Sequence, residues 1–252
     1  MFSIFRRKTK QVNPFEQGWF DEMIDMHCHL LPAVDDGSKS IEETLSIIDL
    51  LEEIGVKRHI LTPHIMEEYP SNDALFLRAR FEDLLAAISP DKASRLQLAA
   101  EYMLDAAFPD RLAEPLLTLG DRHILVETSY MAPPMGLMGL LADLRLKGLS
   151  PVLAHPERYV YMEEKDYVMI KKQGVLFQLN LFSLFGAYSS FVSEKAYALL
   201  EAGYYDLIGT DIHHPQPIVR LLSKASLPRD MEGKIKYLVE NNARLLSSVA
   251  VR

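Results

Sequence analysis

Two short motifs in this chain place metal-competent side chains two residues apart. His27 and His29 flank Cys28, and Asp211 lies two residues before His213. Residues two apart on an extended strand point to the same face, so each motif presents two such groups to one side. Imidazole and carboxylate groups without thiolate suit Mn²⁺, Fe²⁺, Zn²⁺ or Mg²⁺. The two motifs therefore indicate metal binding.

Further groups of the same kind follow other short apolar runs. They are His64, Glu101, Glu127 and His155. Taken singly, a His-x-His pair is more often incidental, and a carboxylate at a strand end is more often a cap or an ion-pair partner. However, six separate strand ends would deliver such groups, and the strand ends of a barrel converge on one mouth. This coincidence predicts a polynuclear metal site there.

The elements that must position these groups alternate along the chain. Strand candidates are residues 23–26, 59–62, 96–100, 124–127, 152–154, 175–179 and 207–209. Helical patterns separate most of them, and the first helix begins at Ser40, with Glu43 in capping position and Gly55 after its end. Such alternation implies a parallel sheet. We predict an α/β fold, a distorted (β/α)7 TIM-like barrel; periodicity alone does not exclude a doubly wound open sheet.

Charge and cysteine content exclude several classes of function. The 252 residues include 27 basic and 35 acidic ones, a formal charge of −8, which argues against nucleic-acid binding. The single cysteine, Cys28, rules out an intramolecular disulfide and suits a reducing cytoplasm. A cysteine-dependent phosphatase also needs an arginine six residues after its cysteine, where this chain has Val34. We therefore expect Cys28 to be a small buried residue rather than a nucleophile.

The organisation of the chain is expected to be simple. Residues 1–22 form an N-terminal leader, and residues 23–252 form a single domain without an internal linker. No stretch approaches the roughly 18 apolar residues of a membrane-spanning helix. We therefore expect no integral membrane segment.

Five motifs carry a resemblance to a known family. They are residues 23–29 (MIDMHCH), 35–37 (DDG), 62–64 (TPH), 154–158 (AHPER) and 210–213 (TDIH). In order and spacing this set resembles the PHP (polymerase and histidinol phosphatase) superfamily. It is most similar to the bacterial manganese-dependent tyrosine-protein phosphatases of capsule and exopolysaccharide loci. The resemblance runs from residue 23 to the C-terminus, including the stretch 240–244.

The resemblance implies a three-metal site occupied by Mn²⁺, with a metal-bridged hydroxide as nucleophile. One metal would take His27, His29, Glu101 and Asp211; a second would share Glu101 and add Glu127 and His155; the third would take His64, His213 and Asp36, which is favoured over Asp35. It also assigns Arg158, Asp36 and His64 to catalysis. The implied partner is a phosphotyrosine-bearing protein, a tyrosine kinase of polysaccharide export. The implied location is cytoplasmic, or peripheral at the inner membrane through that partner.

The substrate phosphate would be held by arginine. Arg158 is the expected clamp, against the alternative of a surface arginine paired with Glu157. Relatives carry a second phosphate-binding arginine in the loop seven residues beyond Asp211, where this chain has Ile218. Arg220 is the available substitute if the loop at residues 215–217 is rearranged. His59, a core histidine with its hydrogen bonds satisfied, and the surface residue His123 are expected to lie outside the site. His214 is expected not to be a ligand, and either contacts the ligands from outside or is simply exposed. Two alternative functions stay open: a small-molecule phosphoesterase such as histidinol-phosphate phosphatase, and a non-catalytic phosphopeptide-binding module.

Overall fold

Parallel strands alternate with helices along most of the chain. The computed structural model describes residues 9–247, without the side chains at positions 220, 222–224 and 247. The strands are β1 (Gln11–Val12), β2 (Met23–Cys28), β3 (Val56–Leu61), β4 (His64–Ile65), β5 (Leu96–Leu98), β6 (Glu101–Met103), β7 (His123–Glu127), β8 (Ser150–Ala154), β9 (Leu176–Asn180), β10 (Leu207–Gly209) and β11 (Leu227–Pro228).

Most helices lie between these strands, and several begin at a residue whose side chain caps them. Ser40 Oγ accepts a hydrogen bond from the Glu43 backbone N–H, and Asp73 caps the following helix through the Phe76 N–H. The helices are α1 (Ile41–Glu53), α2 (Ala74–Ala87), α3 (Pro90–Ala93), α4 (Phe108–Arg111), α5 (Leu137–Leu146), α6 (Glu164–Lys172), α7 (Ser190–Glu201), α8 (Gln216–Lys224) and α9 (Glu232–Ser247).

The strands form a barrel of seven positions. One sheet contains six strands in the order β10-β9-β8-β7-β6-β4, and another contains three strands in the order β2-β3-β5. Two positions are each interrupted by two residues, so that β3 continues as β4 and β5 as β6. A parallel bridge between Cys28 and Ile212 joins the first position to the last. The predicted distorted (β/α)7 barrel is therefore confirmed, and the open sheet is wrong because its edges meet.

Buried polar groups hold this seam closed. The Thr210 backbone N–H donates to Asp25 Oδ1 (2.8 Å), and the Asp211 N–H donates to the His27 carbonyl (2.7 Å). Asn242 on α9 is fully buried. Its amide nitrogen donates to the carbonyls of Ile24 and Ile208, and its amide oxygen accepts from the Ile208 N–H. One side chain thus links the C-terminal helix to both strands of the seam.

Part of the expected leader packs on the barrel. Residues 11–12 form β1, which pairs antiparallel with β11, and the side chains of Trp19 and Phe20 are almost completely buried in the main hydrophobic core. Residues 1–8 lie outside the described part of the chain, and the domain boundary at residue 23 stays a prediction.

Two local expectations after the last barrel strand are wrong. β10 ends at Gly209, so Asp211 and His213 do not share a face by strand alternation; Asp211 instead adopts a left-handed backbone conformation, with φ of 53°. Residues 215–217, expected as a loop, form the N-terminal end of helix α8, in which Ile218 is fully buried. Among residues 9–247, no helix is long and apolar enough to cross a bilayer.

We expect replacement of Asn242 with alanine to destabilise the protein by about 2–4 kcal/mol, because three buried backbone groups lose their partner. Chemical unfolding followed by circular dichroism measures this loss. Asn241→Ala is the matched control: its amide nitrogen donates to one carbonyl, that of Asp206, so a loss of about 1 kcal/mol is expected. Equal losses in both variants would contradict the role of Asn242 in the seam.

Candidate metal centre

The nine residues expected as metal ligands meet at the carboxyl ends of the barrel strands. They are His27, His29, Asp36, His64, Glu101, Glu127, His155, Asp211 and His213. All but Asp36 and His213 are buried. They reach this place from the ends of β2, β7, β8 and β10, the loop after β2, and the starts of β4 and β6, which follow the interruptions.

The tautomers of the first two histidines are fixed by their outer partners. His27 Nδ1 lies 2.9 Å from Gln178 Oε1, and the amide orientation of Gln178 is set because its nitrogen donates to the Leu179 carbonyl. His29 Nδ1 lies 2.9 Å from Asp35 Oδ2. Both Nδ1 atoms therefore carry hydrogen, and in the neutral rings both Nε2 atoms present lone pairs.

These lone pairs face one another and two carboxylates. The Nε2 atoms of His27 and His29 are 3.1 Å apart. Glu101 Oε2 lies 3.2 and 3.3 Å from them, and Asp211 Oδ1 lies 3.3 and 3.4 Å from them. Neighbouring oxygen or nitrogen ligands of an octahedral divalent ion are about 3 Å apart, since each lies about 2.1 Å from the ion. The four side chains thus fit a shared cation.

Glu101 is the central carboxylate of the cluster. Its Oε2 also lies 3.2 Å from His64 Nδ1, and its Oε1 lies 3.1 Å from His155 Nε2. His64 Nδ1 is 3.0 Å from Glu127 Oε1 as well. Yet His64 Nδ1, Glu101 Oε2 and Glu127 Oε1 are buried without a hydrogen bond among the described residues. Buried atoms of this kind normally have a partner, and a metal ion would supply it.

Asp36 faces the outer part of the centre. Its Oδ1 lies 3.4 Å from His213 Nε2 and 3.6 Å from His64 Nε2, while more than half of the side chain is exposed. Asp35 is buried instead and accepts from the backbone N–H groups of Gly37 and His64 in addition to contacting His29. These distances favour Asp36 as a direct ligand and Asp35 as the residue that orients the His29 ring.

The groups that share a common centre differ in part from the expected sets. Within each group the candidate ligand atoms lie within 4.8 Å of one another. The three groups at the mouth are His29, Asp36, His64 and His213; His27, Glu101, His155 and Asp211; and His64, Glu101 and Glu127. His155 therefore shares a group with His27 and Asp211. His29, which faces His27, also belongs to the group of Asp36, His64 and His213. The nine residues are the expected ones, but their division among three ions stays a prediction.

The centre needs positive charge. Burial alone would lower the pKa of His27, but the charges of Glu101 and Asp211 outweigh it and raise the pKa to about 9. Burial likewise opposes ionisation of Glu101, yet the surrounding histidines hold the pKa of this carboxyl well below its usual range. The histidines therefore carry protons when no other cation balances the carboxylates. Divalent ions supply the same charge.

Two of the candidate ligands have strained backbones. His155 has φ of 34° and Asp211 has φ of 53°. Left-handed conformations cost a non-glycine residue about 1–3 kcal/mol and cluster at functional sites. His155 directly follows β8 and Asp211 lies two residues beyond the end of β10, so both left-handed residues stand at the mouth just past a strand end.

Arg158 lies at the rim of the centre and is not paired with Glu157. Its Nη1 donates to Asp211 Oδ2 (2.6 Å), and its guanidinium carbon lies 4.3 Å from the ring centroids of both Tyr130 and Tyr188. Glu157 is buried and accepts from the Tyr205 hydroxyl and the Asn180 N–H. The guanidinium is therefore held between two aromatic faces beside the metal ligands.

The structure adds residues that sequence reasoning missed. Gln178 orients His27, Asn180 Nδ2 donates to Asp211 Oδ2 (3.0 Å), and Tyr130 and Tyr188 enclose Arg158. Gln178 and Asn180 lie at the end of β9, the one barrel strand for which the sequence predicted no metal ligand. Their place at the end of that strand was the available signal, because the polar neighbours of metal ligands also come from the barrel mouth.

The remaining candidates lie outside the mouth or outside the described residues. Cys28 is fully buried, and burial together with nearby carboxylates raises the pKa of its thiol well above the usual value, so the thiol is protonated at neutral pH. His59 is buried as expected, but neither ring nitrogen has a hydrogen bond among residues 9–247. His123 is half-buried and His214 is exposed. The side chain of Arg220 lies outside the described residues.

Comparisons with known proteins agree on one family. The family model "Capsular polysaccharide synthesis, CpsB/CapC" matches residues 23–226. The tyrosine-protein phosphatase YwqE of Bacillus subtilis is 28% identical over 243 residues, covering 89% of this chain and 91% of that protein. The tyrosine-protein phosphatase CpsB of Streptococcus pneumoniae is 30% identical over 210 residues, covering 76% and 83%.

A similar solved structure extends the likeness to the fold. It comes from work on YwqE of Bacillus subtilis and CpsB of Streptococcus pneumoniae, described as unique metal-dependent tyrosine phosphatases. It superposes with a TM-score of 0.75 at 27% identity and covers 89% of this chain and 94% of its own. The family expected from the order of the motifs is thereby confirmed. This chain belongs to the CpsB/CapC family of capsular polysaccharide synthesis.

Proposed function

We propose that this protein is a metal-dependent protein-tyrosine phosphatase. The observation that carries the proposal is the cluster of mutually facing histidine and carboxylate atoms at the barrel mouth, with the Arg158 guanidinium beside it. Its relatives YwqE and CpsB, which are named as tyrosine-protein phosphatases, support the reaction class.

The donor set suits hard or borderline divalent ions. Five imidazoles and four carboxylates, without a thiolate, fit Mn²⁺ best in our proposal, and Fe²⁺, Zn²⁺ or Mg²⁺ next. We assign three ions to the nine residues, with Glu101 shared between two of them. When bound, such ions acidify a water molecule and neutralise charge on a transferring phosphoryl group.

The chain's own residues position the substrate. We assign Arg158 to bind the phosphoryl oxygens, because one contact to Asp211 leaves further N–H groups of its five for an anion. His64 and Asp36 line the outer side of the same space. A tyrosine phenol has a pKa of about 10 and leaves more readily than an alkyl alcohol, so no strong general acid is required. Arg220 stays the proposed second phosphate-binding residue.

The physiological setting follows from the family. We propose as substrate a tyrosine kinase of polysaccharide export, and we place the enzyme in the cytoplasm or, through that kinase, at the inner membrane. The family model, which concerns capsular polysaccharide synthesis, supports the pathway.

The first test is the reaction itself. With Mn²⁺ the protein should release phosphate from a phosphotyrosyl peptide, and a chelator should abolish this. His29→Ala or Asp211→Ala should lower the rate by about 100-fold or more, since loss of a ligand exceeds the effect of losing an orienting residue. Cys28→Ser is the control and should stay within about twofold, because a buried, protonated thiol is no nucleophile.

Two results would count against this mechanism. A folded but inactive Cys28→Ser variant would contradict catalysis by metal ions alone. Much faster turnover of histidinol phosphate than of phosphotyrosine would instead indicate a small-molecule phosphoesterase. Metal analysis of the purified protein accompanies both assays.

The second test concerns the residue that orients His27. Gln178→Leu should weaken metal binding about 10–100-fold, because the His27 ring loses the acceptor that fixes its tautomer. Titration with a competing chelator measures this affinity. Gln97→Leu, at an exposed position on β5, is the matched control and should leave it unchanged. Unaltered affinity in Gln178→Leu would show that the contact does not orient a ligand.

The third test concerns the aromatic faces around Arg158. Tyr130→Leu should raise KM for para-nitrophenyl phosphate about 3- to 30-fold with little change in kcat, because a stacked guanidinium loses about 0.5–2 kcal/mol of cation–π attraction. Tyr130→Phe keeps the ring and should behave as the unmodified protein. If both substitutions raised KM equally, the hydroxyl rather than the aromatic face would be the functional part.

A further inference from the structure

An apolar groove opens beside the Arg158 clamp, which we define as Arg158, Tyr130 and Tyr188. It has a volume of about 1740 Å³. Its apolar lining is Val160, Met162, Val168, Met169, Phe191 and Tyr197. A second cavity of about 490 Å³ shares Met162 and Met169 with it and extends beneath residues 133–138.

This face carries most of the exposed apolar side chains. Of the twelve large hydrophobic side chains exposed among the described residues, seven come from the segments 130–135, 160–169 and 188–191. They are Tyr130, Met131, Met135, Val160, Met169, Tyr188 and Phe191. A concentration of this kind beside a polar site is typical of a binding surface rather than of ordinary surface scatter.

The groove and the clamp are built from neighbouring residues of the chain. Val160 follows Arg158 by two residues, and its backbone N–H donates to the Tyr130 carbonyl (2.9 Å). Gly186 and Ser190, which line the groove, flank Tyr188 by two residues on either side. Because an extended chain advances about 3.3–3.6 Å per residue, a polypeptide whose phosphotyrosine is held at Arg158 enters this groove within a few residues.

The rim of the groove is acidic. Glu163, Glu164 and Glu194 line it together with two lysines. Lys165 pairs with Glu163 (2.9 Å), and Lys195 is buried and donates to the Tyr159 carbonyl. The exposed pair of Lys165 and Glu163 is neutral overall and Lys195 is buried, so Glu164 and Glu194 leave one net negative charge at the rim.

We propose that this groove binds the polypeptide flanking the phosphotyrosine, an inference that rests on the proposed phosphatase function. An apolar side chain of the substrate lies in the groove, and a neighbouring lysine or arginine faces Glu164 and Glu194. Substrate selection by this protein therefore combines the phosphoryl group at the metal centre with an apolar and basic sequence beside it.

Kinetics on substrates of two sizes test the proposal. The probes are para-nitrophenyl phosphate and phosphotyrosyl peptides carrying Leu-Lys or Gly-Ser, placed three or four residues before or after the phosphotyrosine. We expect the Leu-Lys peptide on one side to have a KM about tenfold below that of its Gly-Ser counterpart, a difference of about 1.4 kcal/mol. The double variant Met169→Ser, Phe191→Ser should remove this preference without changing turnover of para-nitrophenyl phosphate.

Two further variants sharpen the test. Phe76→Ser, at an exposed phenylalanine on α2, is the matched control and should leave the preference intact. Glu194→Lys should raise KM for the Leu-Lys peptide and spare a Leu-Ser peptide. A double variant that keeps the full peptide preference would overturn the proposal.

Two other outcomes distinguish this proposal from dimerisation through the groove and from failure of the proposed function. A protein dimer in sedimentation that Met169→Ser, Phe191→Ser converts to a monomer would assign the groove to a second copy of this chain and overturn the proposal. Failure to hydrolyse any phosphate ester would remove the proposed function. In that case, fluorescence anisotropy of labelled peptides with a phosphonate in place of the phosphate tests the groove. Tighter binding of the Leu-Lys peptide than of the Gly-Ser peptide supports the proposal, and equal binding contradicts it.

Discussion

The mouth of this barrel places acceptor atoms against acceptor atoms, and the site depends on the positive charge that this arrangement demands. The Nε2 atoms of His27 and His29 lie 3.1 Å apart and face the carboxylates of Glu101 and Asp211. Gln178 and Asp35 occupy the opposite ring nitrogens. Because buried charges are costly without compensation, protons or metal ions must stabilise the cluster, and its fixed geometry favours ions that several ligands share.

Closure of the barrel and assembly of the site are the same structural event. The first and last strand positions carry the two motifs of the sequence, and the Asp211 N–H to His27 carbonyl bond joins them. This bond also helps to hold Asp211 in its left-handed conformation. Asp25 on β2 and Asn242 on α9 hold the same seam through further hydrogen bonds. Strain at Asp211 is thus tolerated where buried hydrogen bonds hold the surrounding backbone.

Sequence reasoning predicted the barrel and eight of the nine residues at its mouth because strand ends converge by topology, whatever the local detail. Asp36, in the loop after β2, was implied only by the family resemblance. Sequence reasoning was wrong about how Asp211 and His213 reach the site, since strand alternation does not reveal a strand that ends early. It also left Gln178 and Asn180 without a role. An amide is not a typical ligand for these metals, and only the distances show that it orients one. The helix at residues 216–224 was missed as well, because prolines such as those at 215 and 217 are common in loops. Proline also suits the first turn of a helix.

The division between ligands and substrate contacts explains why the ligands and Arg158 were predictable from motifs whereas Tyr130 and Tyr188 were not. Most ligands stand at strand ends, where the fold fixes their place. Tyr130, Arg158 and Tyr188 stand in three loops that follow β7, β8 and β9, and their meeting depends on how those loops pack. Buried Glu157 anchors the turn that presents Arg158, so adjacent residues serve stability and binding. Since the loops after β8 and β9 line the groove together with α6 and α7, changes there can alter substrate preference while the metal centre stays intact.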